Sequence, residues 1–156
     1  MTLKPQESMT DEKDISLKLL VVLTRAAQSI RKGIEEDIRH YGLNQTEFGV
    51  LELLYHKGDQ PIQKIGGKIL IASSSTTYVI DQLEKKKLLK RKPCPSDRRV
   101  TYASLTKEGQ ELMDKIFPDH KEAVNTLLGG LTAAEKLELI GQLKKLGLFA
   151  ASLSDR

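Results

Sequence analysis

The stretch LLKRKPCPSDRRVTYASL, residues 88–105, constrains this chain more than any other. Its flanks, LLKRK and RVTYASL, read as extended runs, and Pro93, Cys94, Pro95, Ser96 and Asp97 between them have the composition of a turn. A two-stranded hairpin with a long tip is therefore expected inside a chain that is otherwise helical in pattern. The same region concentrates charge. From Lys85 to Arg99 there are eight basic residues against Asp97, a local +7, whereas the whole chain is +4 and its other 141 residues therefore sum to −3. A positive field confined to one part of a molecule is what a polyanion-binding surface requires.

Outside the hairpin, apolar residues recur at three- and four-residue steps, the helical period. Ile15, Leu19, Val22, Leu23, Ala26, Ile30, Ile34, Ile38 and Tyr41 predict one long amphipathic helix, stopped at Gly42. A second helix opens at Asn44, with Glu47 at the capping-box position and Leu43 and Phe48 placed as a hydrophobic staple. Pro61 blocks its continuation, and Ile62, Ile65 and Ile69 mark a short third helix, weakened by about 1 kcal/mol at each of Gly66 and Gly67 relative to Ala.

Ser73 is the expected N-cap of a fourth helix whose inward stripe is Thr76, Val79, Ile80 and Leu83. Ser74, Thr77, Tyr78, Asp81 and Lys85 lie on the opposite face, with Gln82 at its flank. After the hairpin, Thr106 caps a fifth helix, which Pro118 is expected to kink or interrupt before Val124, Leu127 and Leu128 resume. Thr132 and Glu135 form a capping box for the last helix, which carries Leu137, Ile140, Leu143, Leu146 and Phe149.

Two short helices joined by a tight turn, then a basic hairpin, have the layout of a winged helix-turn-helix. The fold class is thus mainly α with a small β-hairpin, a winged helix-turn-helix carrying N- and C-terminal helices. A helix fits the major groove of duplex DNA, and a projecting hairpin reaches the neighbouring minor groove or backbone. Cations that repel one another in isolation release condensed counterions on meeting phosphates, which turns the repulsion into salt-dependent binding. Asp97, two residues before Arg99 on a segment read as extended, shares its face and can orient the guanidinium. Lys86, in the same basic run, is expected to serve mainly the salt dependence.

At 156 residues, one domain spanning 1–156 is expected, with a DNA-binding lobe at 44–105 and dimerisation helices at 11–41 and 107–153. No apolar run reaches the roughly 20 residues that span a bilayer, so a cytoplasmic location and no membrane partner are expected. One cysteine cannot close an internal disulfide, and His40, His56 and His120 lack the spacing of zinc ligands, so neither a metal nor a cofactor is expected. No catalytic constellation can be assembled from them either, which disfavours an enzyme. An architectural protein that binds nucleic acid without sequence preference stays open as an alternative to a sequence-specific regulator.

The run LEKKKLLKRKPCPSDRRVTYASLTKEG resembles the wing signature of the MarR family of transcriptional regulators, in which Asp-x-Arg precedes a strand and Leu-Thr-x-x-Gly. The corresponding residues here are Asp97, Arg99, Leu105, Thr106 and Gly109. LNQTEFGVLELL, IQKIGGKI and SSSTTYVIDQLEKKKLL fall where that family has its second, third and recognition helices. TEFGVLELLYHKGDQPIQKIGGKILIAS further resembles the MhqR branch, whose members are associated with hydroquinone and quinone stress. The resemblance implies that Ser74, Ser75, Thr77, Tyr78 and Gln82 face the major groove and that Arg99, supported by Asp97, enters the minor groove. Arg91 and Arg98 then flank the phosphates, and Ser73 and Lys85 join the DNA-facing set at the two ends of the recognition helix. Lys87 stands where the family commonly has a Gly, which predicts a strained or altered turn there. Tyr78 stands where many relatives have Arg, so the base preference is expected to differ.

The wide apolar faces of the first and last helices exceed what one core needs, and the surplus predicts a homodimer burying more than about 2,000 Å². A two-fold pair sets its recognition helices about one DNA turn, roughly 34 Å, apart and selects a near-palindromic operator in double-stranded DNA. The resemblance implies repression, and release by a small aromatic, phenolic or quinone-type effector or an oxidant. Tyr41, Phe48, Tyr55, His56, Met113, Phe117 and His120 are candidates to line the effector pocket. Cys94, with Arg91, Lys92 and Arg98 nearby to favour the thiolate, is a candidate redox-reactive thiol.

Overall fold

A computed structural model describes residues 11–69 and 75–154 of the chain. Asp11 accepts the Lys13 amide and starts α1 (Glu12–Arg39), in which Ile38 is the one buried residue. The expected capping box then opens α2 (Gln45–Lys57): the Glu47 amide donates to Asn44 Oδ1 at 2.8 Å and the Asn44 amide to Glu47 Oε1 at 3.1 Å. Leu43 and Phe48, the staple pair, are both buried in one core.

Gln60 and Pro61 form a short strand, β1 (Gln60–Pro61), that the sequence reading missed. It leads into α3 (Ile62–Ile65), a single turn rather than a helix reaching Ile69. The break falls at Gly66, whose lack of a side chain serves close packing: a Cβ there would come within 3.0 Å of Thr76 Oγ1. The recognition-helix candidate is α4 (Thr76–Lys85), whose N-cap is Ser75, not Ser73, and Ser75 makes no side-chain capping bond. Ser73 and Ser74 lie outside the described residues.

The hairpin consists of β2 (Leu89–Pro93) and β3 (Thr101–Leu105), antiparallel and in register from Leu89 opposite Leu105 to Pro93 opposite Thr101. β1 pairs with the other side of β3, so the sheet has three strands in the order β1-β3-β2 instead of two. Pro61 and Pro93 sit on its edge strands, where a missing N–H breaks no interior ladder.

α5 (Lys107–Leu127) runs through Pro118 without the interruption that is one of the two expectations there; the proline removes the N–H that would otherwise reach the Asp114 carbonyl. Thr132 and Glu135 exchange both bonds of their capping box ahead of α6 (Ala133–Ser154).

The chain divides into two compact units, one ending at Ala123 and one beginning at Val124. The first holds the core: Val50, Leu51, Leu54, Ile65, Val79, Ile80, Leu83, Leu89, Ala103, Met113 and Ile116 are fully or nearly fully buried. In the second, no residue of α6 is buried.

Candidate nucleic-acid interface

α4 is fixed from behind and from both ends. Val79, Ile80 and Leu83 anchor its inner face in the core, which leaves Thr77, Tyr78 and Lys85 turned outward, Tyr78 being 60% exposed. Gln82 is half-buried at the flank. At the C-terminal end Lys86 Nζ lies 2.6 Å from Glu47 Oε2, whose residue is only 5% exposed. The carboxylate that caps α2 therefore also holds the end of α4, and Lys86 is a structural cation before it is a phosphate contact. A buried carboxylate is tolerable because one backbone amide, that of Asn44, and one ammonium satisfy its two oxygens.

Beyond Lys86 the chain turns back in a Schellman motif. Lys87 takes φ +62, its amide bonds the Glu84 carbonyl at 2.9 Å, and the Leu88 amide bonds the Leu83 carbonyl at 3.0 Å. The altered turn expected at Lys87 is thus a left-handed one that a glycine adopts more readily. Thr106 secures it. Its hydroxyl donates to the Lys87 carbonyl at 2.7 Å and accepts the Gly109 amide at 3.0 Å, capping α5. Gly109 is required here because a Cβ would collide with the Leu88 carbonyl oxygen. The Leu-Thr-x-x-Gly signature is in this way the joint between α4, the wing and α5.

The wing tip is a turn and not the extended segment expected. The Val100 amide bonds the Asp97 carbonyl at 3.1 Å, and Asp97 Oδ1 accepts both the Arg99 amide at 3.0 Å and Arg99 Nε at 3.2 Å. These bonds, the backbone one foremost, hold the Asp97 carboxyl below its usual range. The Arg99 side chain stays 91% exposed while its direction is set. Gln63 Nε2 donates to the Arg99 carbonyl at 3.4 Å and ties α3 to the same turn. Arg98 is exposed beside it.

Arg91 is placed differently from the other wing cations. Along β2 the residues alternate, so Arg91 shares the face of the buried Leu89 and points at α4. There Nη2 lies 2.6 Å from Asp81 Oδ1 and Nη1 2.8 Å from Glu84 Oε1. Lys92, on the other face, approaches Asp59 at 3.7 Å. Cys94 is half-buried; its Sγ lies 3.3 Å from Ser96 Oγ, and that hydroxyl together with backbone amides lowers the thiol pKa. The neighbouring cations are not the cause, in contrast to expectation.

Five of the effector-pocket candidates come together between α2 and α5. Phe48 and His120 rings are 4.5 Å apart, His56 and Phe117 4.7 Å, Tyr55 and His56 5.1 Å, and Tyr55 and Phe117 5.5 Å. Two interactions missed in the sequence brace this cluster. His120 Nδ1 lies 2.7 Å from Asp37 Oδ2, and Tyr55 donates to Asp114 at 2.9 Å, which raises its pKa. Tyr41 joins through Asp37, donating at 3.0 Å; burial first and then that carboxylate push its pKa up to about 12. Met113 is fully buried in the core. Among the described residues no group of side chains is arranged to hold a metal ion, and no helix is long and apolar enough to cross a membrane.

An outward polar helix face braced against a basic hairpin, whose tip presents an oriented arginine, defines a winged helix-turn-helix of the transcriptional-regulator class. Residues 43–101 match the MarR family, and the chain belongs to that family of transcriptional regulators, which are not enzymes. It is 50% identical over 141 residues to the HTH-type transcriptional regulator MhqR of Bacillus subtilis strain 168, covering 90% of this chain and 97% of that one. Among solved structures it is similar to AbsC, a MarR family regulator from Streptomyces coelicolor, with a TM-score of 0.77 at 22% identity, covering 94% of this chain and 99% of that one. It also resembles Sco3205 from the same organism, solved in complex with DNA, with a TM-score of 0.72 at 21% identity and coverage of 93% and 90%.

Proposed function

We propose that this regulator is a cytoplasmic homodimeric repressor that reads a near-palindromic operator and is released by a small aromatic effector. The observation that carries the DNA-reading half is the juxtaposition of the exposed Thr77, Tyr78 and Lys85 on α4 with an Arg99 pre-oriented by Asp97. A narrow minor groove is strongly electronegative, and an arginine whose direction is already set loses less entropy on entering it. Ser75, Thr77, Tyr78 and Gln82 then meet the major groove, with Lys85 and Arg98 on phosphates. The DNA complex of Sco3205 supports the same docking by likeness of fold.

The dimer rests on 11–41 and 107–153, the lobe at 44–105 being the reader. Ile15, Leu17, Leu19, Leu20 and Val22 on α1 are exposed, as are Leu137, Ile140, Leu143, Leu146, Leu148 and Phe149 on α6. So much uncovered apolar surface on two helices is the mark of an interface. The aromatic cluster of Phe48, Tyr55, His56, Phe117 and His120 supports stacking of a phenol or quinone, and Cys94 supplies the thiol for an oxidant response. An effector lowers operator affinity only by its preference for one arrangement of the two lobes.

Selection of bound duplexes from a randomised pool tests the reading. A symmetric consensus, with affinity for random duplex at least about 10³-fold weaker, is expected. Equal affinity for both would replace the repressor with a non-specific architectural protein. Adding a hydroquinone to the selected complex is expected to release it from wild type and not from His56→Ala, whose side chain is in the aromatic cluster but exposed.

A further inference from the structure

The outward stripe of α4 is not uniformly suited to a polyanion. Thr77, Asp81, Glu84 and Lys85 follow one another at helical steps of four, three and one, so two carboxylates stand on the stripe assigned to DNA. Bare, they would repel each other across one helical turn and repel the phosphates that the stripe must approach. One guanidinium spans both, at 2.6 Å to Asp81 and 2.8 Å to Glu84, and it comes from the wing. Its own residue is half-buried, on the core-facing side of β2.

Resting on the DNA-reading proposal above, we infer that Arg91 is a positioning residue: it neutralises Asp81 and Glu84 and locks the base of the wing to the recognition helix, and it is not itself a phosphate contact. Arginine suits this role because its planar fork holds two carboxylates in a fixed geometry, which a lysine ammonium cannot do. Leu89 and Ala103 of the wing share the core with Val79, Ile80 and Leu83 of α4, and the chain turns between them through Lys87 and Leu88. The Arg91 bridge adds a polar attachment with fixed geometry to this apolar contact.

The test is a double-mutant cycle on the full-length protein, using the duplex recovered by selection and a scrambled duplex of equal length. Arg91→Ala is expected to weaken binding to the selected duplex by at least about 30-fold, and Asp81→Asn with Glu84→Gln in that background to restore at least about tenfold. The same pair of changes in the wild-type background is expected to weaken binding about threefold, to the level of the triple variant, because it removes the attachment without leaving bare carboxylates. Arg91→Lys should fall between wild type and Arg91→Ala. Hydrogen exchange of the β2 and β3 amides, measured without DNA, should accelerate in Arg91→Ala and recover only in part in Arg91→Lys. The inference is overturned by an additive cycle in which Arg91→Ala weakens both duplexes equally and lowers the salt slope by about one, the signature of a lost phosphate contact. Failure of the wild-type protein to bind any duplex at low salt rejects the DNA reading itself, and this inference with it.

Discussion

The hairpin from β2 to β3 presents charge to solvent, and α6 presents leucines. Both are exposed, yet the wing is held in place by a core residue at Leu89, a turn bonded through Asp97 and an ion-paired Arg91, whereas α6 has no buried residue at all. A surface made of cations stays stable uncovered because water solvates it. A helix exposing Leu137, Ile140, Leu148 and Phe149 does not, and its stability has to come from a partner. The contrast supports the two partners proposed above: a polyanion for the hairpin and another copy of the chain for the terminal helix.

The comparison breaks most visibly at α6. Ile140→Glu with Phe149→Glu is expected to convert a dimer to a monomer in sedimentation velocity and to lower operator affinity by about 100-fold or more, because paired half-sites can no longer be engaged together. A dimer that persists would remove the terminal helix from the interface.

Next in size is the wing. Arg99→Ala is expected to lose about 10- to 100-fold in affinity for the selected duplex in fluorescence anisotropy, with an unchanged melting temperature, since the side chain is 91% exposed. A fall in melting temperature instead would make Arg99 structural.

Lys86→Ala should behave in the opposite way, costing about 1–2 kcal/mol in urea unfolding by stranding the buried Glu47 carboxylate, while operator affinity at equal folded fraction changes little. Lys87→Gly sharpens the same region from the other side. It relieves a positive φ and is expected to stabilise by up to about 1 kcal/mol.

The smallest effect is acid titration of the wing tip. Bonds from Arg99 hold Asp97 below its ordinary value of 3.8, so the turn keeps its full contribution above that pH and loses it as the pH falls through the depressed value. The carboxyl shift of Asp97 should therefore titrate below that of the same residue in Arg99→Ala.

Sequence alone located three helix starts where a side chain bonds its own neighbourhood, at Asn44 with Glu47, at Thr106, and at Thr132 with Glu135, and passed over a fourth at Asp11. Such caps are local chemistry and need no tertiary information. What escaped depended on distant partners. β1 is two residues long and exists only because β3 lies beside it, and α5 tolerates Pro118 despite the lost bond to Asp114. Arg91 looked like its neighbours Lys90 and Lys92 in a basic run. The alternation of a strand anchored by Leu89 separates them, a signal present in the sequence but masked by the shared charge. Asp81 and Glu84 were visible on or near the outward face of α4 without any hint that the wing would cover them.

The Thr106 hydroxyl touches both the Lys87 carbonyl and the Gly109 amide. Any tilt of α5 against the exit of α4 has to stretch one of those two bonds. One oxygen atom thus serves as a pin through the corner where α4, the wing and α5 meet.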